Sequence, residues 1–143
     1  MRSGLLLVTT LLVGACGANR PLATSFAGTS PTPAPDAFTC VREQLKALGY
    51  TQTSYDTDHL RVAVRRYDEN ARRPDTQFRR MVHRIEADVD PGSGGAITAI
   101  TITAKTFAEY TTQRGPTEVQ ELTDPQLQKD AQTVLNRCGA PKP

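Results

Sequence analysis

The spacing of apolar residues changes several times along this 143-residue chain, and each change predicts a different kind of element. Residues 5–13 form a predominantly apolar run of nine, far short of the ~20 residues that a membrane-crossing helix needs. Residues 17–35 are dominated by Ala, Ser, Thr, Gly and Pro, with only Leu22 and Phe26 available for burial, a composition that predicts an extended tether. Regular spacing begins after it. Phe38, Val41, Leu45 and Leu48 recur at three, four and three, one face of an α-helix that Asp36 is placed to cap and Gly49 to end. Near the other end, Asp124-Pro125 reads as N-cap and first helical residue, and Leu127, Ala131, Val134 and Cys138 recur at four, three and four before Gly139.

Between these helices the period is two. Leu60, Val62 and Val64 alternate with Arg61, Ala63 and Arg65, and Met81, His83, Ile85, Ala87 and Val89 alternate with Val82, Arg84, Glu86 and Asp88. A third run, residues 96–107, is rich in Ile and Thr and follows a Pro- and Gly-rich turn at 90–95. Residues 50–55 have the Thr and Tyr content of a further short strand. The order α-β-β-β-β-α with hairpin-length connections predicts an α+β fold, an antiparallel sheet with two antiparallel helices packed on one face. About 105 residues after the tether suffice for one core and not two. The expected organisation is therefore residues 1–15 as a leader, 16–35 as a linker and 36–143 as a single globular domain.

The leader carries the most specific motif. Arg2 provides a positive start, the apolar run follows, and Val13-Gly14-Ala15-Cys16 closes it. This resembles the lipobox of bacterial lipoprotein precursors, in which an aliphatic and two small residues precede the cysteine that is diacylated and becomes the new N-terminus. The resemblance implies lipidation at Cys16 and a membrane partner held through the acyl chains. It also implies a place outside the cytoplasm, in the cell envelope. Gly17, not Asp, follows that cysteine, which favours the outer membrane in a diderm bacterium. With Cys16 acylated, Cys40 and Cys138 remain as a pair in an oxidising compartment, where a disulfide is the default and two separately buried thiols the alternative.

Charge adds one candidate surface. Net charge is only +2, yet Arg61, Arg65, Arg66, Arg72, Arg73, Arg79, Arg80 and Arg84 share a segment holding Asp68, Glu69 and Asp75 as its only acids. Strand alternation gathers Arg61, Arg65, Arg80 and Arg84 toward the sheet face opposite the helices, a candidate site for anionic envelope polymers or lipid phosphates. Interleaved acids would make the same residues an ordinary solvated face. Nucleic acid is not an expected partner outside the cytoplasm. His59 and His83 have no Cys or His at metal-ligand spacing, no phosphate loop or nucleophile motif is present, and no cofactor is implied. His83 falls on an inward-facing strand position, where a buried, satisfied imidazole is expected. The layout is similar to that of small envelope lipoproteins acting as accessory subunits in outer-membrane assembly. That likeness implies a non-catalytic binding or assembly factor, with an envelope hydrolase or small-ligand-binding domain as the alternative.

Overall fold

A computed structural model describes residues 22–94 and 97–140. The leader, the Val13–Cys16 motif and the acylation expected at Cys16 lie outside the described residues. The fold is α+β: β1 (Ala23–Ser30), α1 (Ala34–Ala47), β2 (Thr51–Asp56), β3 (Arg61–Asp68), β4 (Phe78–Pro91), β5 (Thr98–Thr112), β6 (Gly115–Glu121) and α2 (Pro125–Cys138). All strand pairs are antiparallel, in the order β1-β5-β4-β3-β2, with β6 also on β5. The four strands expected between the two helices are all present.

Two further strands correct the sequence reading. Residues 23–30, expected as part of the linker, form β1 and pair with residues 98–105 of β5, so the folded domain begins near Leu22 and not at residue 36. β6 pairs with the remaining half of the same long strand, from Thr106 to Thr112. Neither segment carries an alternating apolar signature. Phe26 is the one large apolar side chain of β1, and it packs against the core. The small residues of β1 have a packing reason: a Cβ on Gly28 would lie 2.9 Å from Leu135 Cδ1, because α2 crosses β1 closely. Tertiary pairing here outweighs intrinsic propensity.

The helices form one layer. α1 packs on β3 and β4 and α2 on β5 and β1. Val41, Leu45, Ile85, Ile100, Ile102, Leu127 and Val134 are fully buried between layers, each worth roughly 1.5–3 kcal/mol relative to exposure. α1 begins at Ala34, two residues before Asp36, with Pro33 at the N-cap and no side-chain cap. Pro35 does not break the helix, because a proline in the first turn lacks only an N–H that has no intrahelical acceptor there. Asp36 sits instead in the first turn, where its charge suits the helix dipole. Gly49 closes α1 at φ +84°, and Asp124 caps α2 by accepting from the N–H groups of Gln126 and Leu127. In the β4–β5 hairpin, Gly92 is required sterically, since a Cβ there would fall 2.1 Å from the Ile97 carbonyl oxygen.

Cys40 and Cys138 are disulfide-bonded, with Cα atoms 5.8 Å apart. Arg137 donates to Gln44, and Tyr50, just beyond α1, reaches Asp130 in the middle of α2. Contacts therefore run forward along α1 and backward along α2, the antiparallel arrangement expected from the cysteine positions.

Candidate functional site: a cleft beside an edge strand

The sheet is one strand wider than the helix layer. β2 extends past α1, all six of its residues are exposed, and it pairs only with β3 among the described residues. The step between α1 and β2 forms a cleft of about 530 Å³. Thr39, Arg42, Glu43 and Lys46 project from one flank of α1 as its wall, because they stand at three- and four-residue steps beside the buried stripe of Phe38, Val41 and Leu45. Val62 and Val64, facing the helices from β3, contribute its apolar surface together with Tyr50, and Thr51 and Gln52 of β2 its rim.

Arg42 dominates this cleft. Its guanidinium carbon lies 5.7 Å from the Phe38 ring centroid and 4.8 Å from that of Tyr55, a cation–π bracket linking α1 to the edge strand. Its Nε is buried without a hydrogen-bond partner, and it forms no ion pair among the described residues. The cleft lining contains neither histidine nor cysteine. Two of its hydroxyls are committed, Thr39 donating to the Pro35 carbonyl and Tyr50 to Asp130. The arginine and lysine of this lining suit contact with an anion.

Behind the cleft is a buried polar network. Asp130 Oδ2 accepts from Tyr50 Oη at 2.8 Å and from Arg66 Nη2 at 2.8 Å, while Oδ1 accepts from Gln126 Nε2 at 2.8 Å. Arg66 also donates to the Leu48 carbonyl at 2.9 Å and lies over the Tyr50 ring, tying the end of α1 to α2 through β3. Burial and the hydrogen bond to Asp130 push the Tyr50 hydroxyl well above the ordinary phenol range, so it stays protonated and donating. His83 faces the same side from β4, opposite Arg66 and Thr106, and is buried as its alternation predicts. Burial lowers its pKa, and its Nδ1 has no partner among the described residues, where the sequence reading expects a satisfied ring. The Thr106 hydroxyl beside it is already accepting from the Asp124 N–H.

The opposite face carries the four arginines singled out from the sequence, but not as a bare basic patch. Arg61 pairs with Asp88, Arg84 with Glu118 at 2.5 Å, and Arg80 with Glu69 at 2.7 Å and Glu109 at 3.0 Å. Arg65 makes no ion pair among the described residues and lies 5.1 Å from the Tyr67 ring. The chemistry of this face is partly structural. Val82 points away from the helices yet is fully buried, with Tyr67 and Phe107 as its cross-strand partners. The Arg80 guanidinium covers Tyr67 at 3.5 Å and that of Arg84 covers Phe107 at 4.6 Å. Charged stems and planes thus stand in for a second helix layer. The acids responsible, Glu69, Glu109 and Glu118, come from the β3–β4 loop, β5 and β6, too distant in sequence to be paired by local spacing. In the same loop, Arg73 is held bidentately by Glu121, at 2.6 and 2.5 Å.

Sequence reasoning missed Arg42 and the Asp130 network. A signal existed for Asp130, which falls three residues after Leu127 and four before Val134, on the apolar face of its helix. Arg66 continues the inward parity of Val62 and Val64. No such signal marks Arg42, whose role depends on which strand ends up at the edge. Among the described residues no cluster of three metal-ligating side chains occurs, and no helix is long and apolar enough to cross a membrane. The sequence matches no known protein family and no curated protein.

Proposed function

We propose that this chain is a lipid-anchored protein of the bacterial cell envelope, held outside the cytoplasm through acyl chains on Cys16, whose folded domain is a non-catalytic binding or assembly factor. The anchor rests on Arg2, the short apolar run and Val13-Gly14-Ala15-Cys16. Binding rests on one observation, the open cleft beside a strand whose outer edge has no partner among the described residues, with an arginine that forms no ion pair among them bracketed over it. The Cys40–Cys138 disulfide agrees with an oxidising compartment. The cleft's volume also falls within the ~300–1,000 Å³ of small-molecule sites, which supports a small-ligand-binding domain as the second reading. Envelope proteins and anionic envelope polymers are the partners in view, and Gly17 favours the outer membrane in a diderm host.

Mass spectrometry of the protein made in a bacterial host tests the anchor. The expected product starts at Cys16 and carries acyl chains, with the protein in the membrane fraction; Cys16→Ser should accumulate as uncleaved precursor. An unmodified N-terminus at another residue would remove the anchor from this reading.

A further inference from the structure

Building on the binding reading above, we infer that the cleft receives an extended acidic peptide segment, which adds to β2 as a further strand and sets carboxylates against Arg42. Two independent features meet here. Among the described residues β2 has no partner along its outer edge, and it has no proline or lysine to deter pairing and a single bulge between Gln52 and Ser54. Strand addition uses such an edge for main-chain hydrogen bonds and reads alternate side chains in an adjoining pocket.

The adjoining pocket is cationic. Arg61, Arg66, Arg73, Arg79, Arg80 and Arg84 each have a carboxylate partner; Arg42, like Arg65 and Arg72, has none among the described residues, and unlike those two it keeps a buried Nε unsatisfied. Phe38 and Tyr55 fix the guanidinium plane in advance, which cuts the ordering cost of a fork-shaped contact with a carboxylate. Because Tyr55 belongs to β2 itself, the Arg42 guanidinium lies over the strand that an added strand would neighbour at a spacing of ~4.8 Å. Lys46, one turn along α1, doubles the positive charge, and Glu43 is the one acid in the lining. A sequence alternating acidic with neutral residues would set its carboxylates on the same sheet face as Arg42 and Lys46.

The test uses the full mature protein in detergent micelles and a terminally blocked ten-residue peptide alternating Val and Glu, its Val/Lys twin, and two forms of the Val/Glu peptide N-methylated on one backbone edge or the other. The Val/Glu peptide should bind and protect amides within Thr51–Asp56 from hydrogen exchange. The Val/Lys twin, and Arg42→Gln with an unchanged thermal midpoint, should each weaken binding by about tenfold or more. N-methylation of one edge should abolish binding and that of the other should leave it. Absence of Val/Glu binding at millimolar concentration, equal binding of the Lys twin, or protection away from β2 overturns the proposal. So does an Arg42-dependent affinity for phosphatidylglycerol vesicles without peptide binding, which would make the partner a lipid surface. Acylated Cys16 without peptide binding refutes this inference alone; peptide binding by a chain found unacylated refutes only the anchor.

Discussion

Removing the carboxylate of Asp130 is the perturbation that most directly tests how the two layers are joined. Asp130 is 4 % exposed and its two oxygens accept from Tyr50, Arg66 and Gln126, so Asp130→Ala strands three donors at once. Tyr50 is buried, and an orphaned hydroxyl there costs about 1–3 kcal/mol. Arg66, 28 % exposed at its side chain, keeps the Leu48 carbonyl and regains some water, which holds its penalty toward the low end of the ~3–5 kcal/mol usual for a broken buried pair. The expected total is about 4–6 kcal/mol, a large share of the ~5–15 kcal/mol that stabilises a domain. Urea unfolding followed by circular dichroism and by the four tyrosines, in a chain with no tryptophan, measures it. The apolar pair Arg66→Met with Asp130→Leu should cost less than Asp130→Ala alone, since no buried charge is left unmatched. A loss below about 1 kcal/mol for Asp130→Ala would show that water reaches the site and refute the argument.

Reducing the Cys40–Cys138 bond, which closes a separation of 98 residues, should lower stability by about 4–5 kcal/mol in the chain-entropy model, read as a fall in urea midpoint under reductant. His83 is held below its ordinary pKa of 6.5 by burial, so the unfolded chain binds the proton more readily. Stability contributed by the neutral ring is thus complete above pH ~6.5 and is lost as pH falls from there through the lower folded value; His83→Gln should flatten that part of the midpoint–pH curve. On the arginine face, Arg80→Met strips Glu109, 5 % exposed, of its closest partner and should cost about 2–4 kcal/mol. Arg61→Gln breaks a pair whose arginine is 68 % exposed and should cost under about 1 kcal/mol; equal losses in the two thermal melts would contradict the cover role assigned to Arg80.

How legible each part was follows from where its determinants lie. The helices and two of the strands were readable because their cores are apolar at fixed spacing: Phe38, Val41 and Leu45 on α1, Val62 and Val64 on β3, Ile85, Ala87 and Val89 on β4; β2 and β5 were readable from their Thr, Tyr and Ile content. β1 and β6 were not, because their partner is β5 and the information sits in the unsatisfied edge of that strand. The Pro- and Thr-rich stretch before α1 looks like a tether by composition, yet Ser30 is buried and Phe26 packs on the core. Of the four arginines, strand parity placed each on the correct face. It could not supply Glu109 and Glu118, and those acids turn the cluster from an open patch into a paired cover. Arg42 lay outside any pattern, since nothing local in α1 announces that β2 will be the edge.

Under the proposed anchor, the early start of the folded domain would also set how it stands on a membrane. With Cys16 as the acylated N-terminus, as proposed, only residues 17–22 separate the anchor from β1, a reach of at most about 25 Å, where a tether over residues 17–35 would supply nineteen. β1 and β2 are opposite edges of the sheet, four strand spacings or roughly 19 Å apart. A leash of that length would therefore hold the β1 edge nearer the headgroups than the cleft on the far edge. Leu22 and Leu122, both exposed and drawn together by the Thr123 hydroxyl bonded to the Leu22 carbonyl, lie at the leashed end. Fluorophores attached at Ser25 and at Gln52 through introduced cysteines, in acylated protein on vesicles with a headgroup acceptor, read this directly. Transfer should be clearly stronger from Ser25, and inserting about twenty Gly and Ser residues after Asn19 should bring the two efficiencies together. Equal transfer from both edges of the unmodified leash, in protein whose acylation is confirmed by mass, would mean that the domain lies flat or tumbles freely, and that the cleft gains no outward orientation from its anchor.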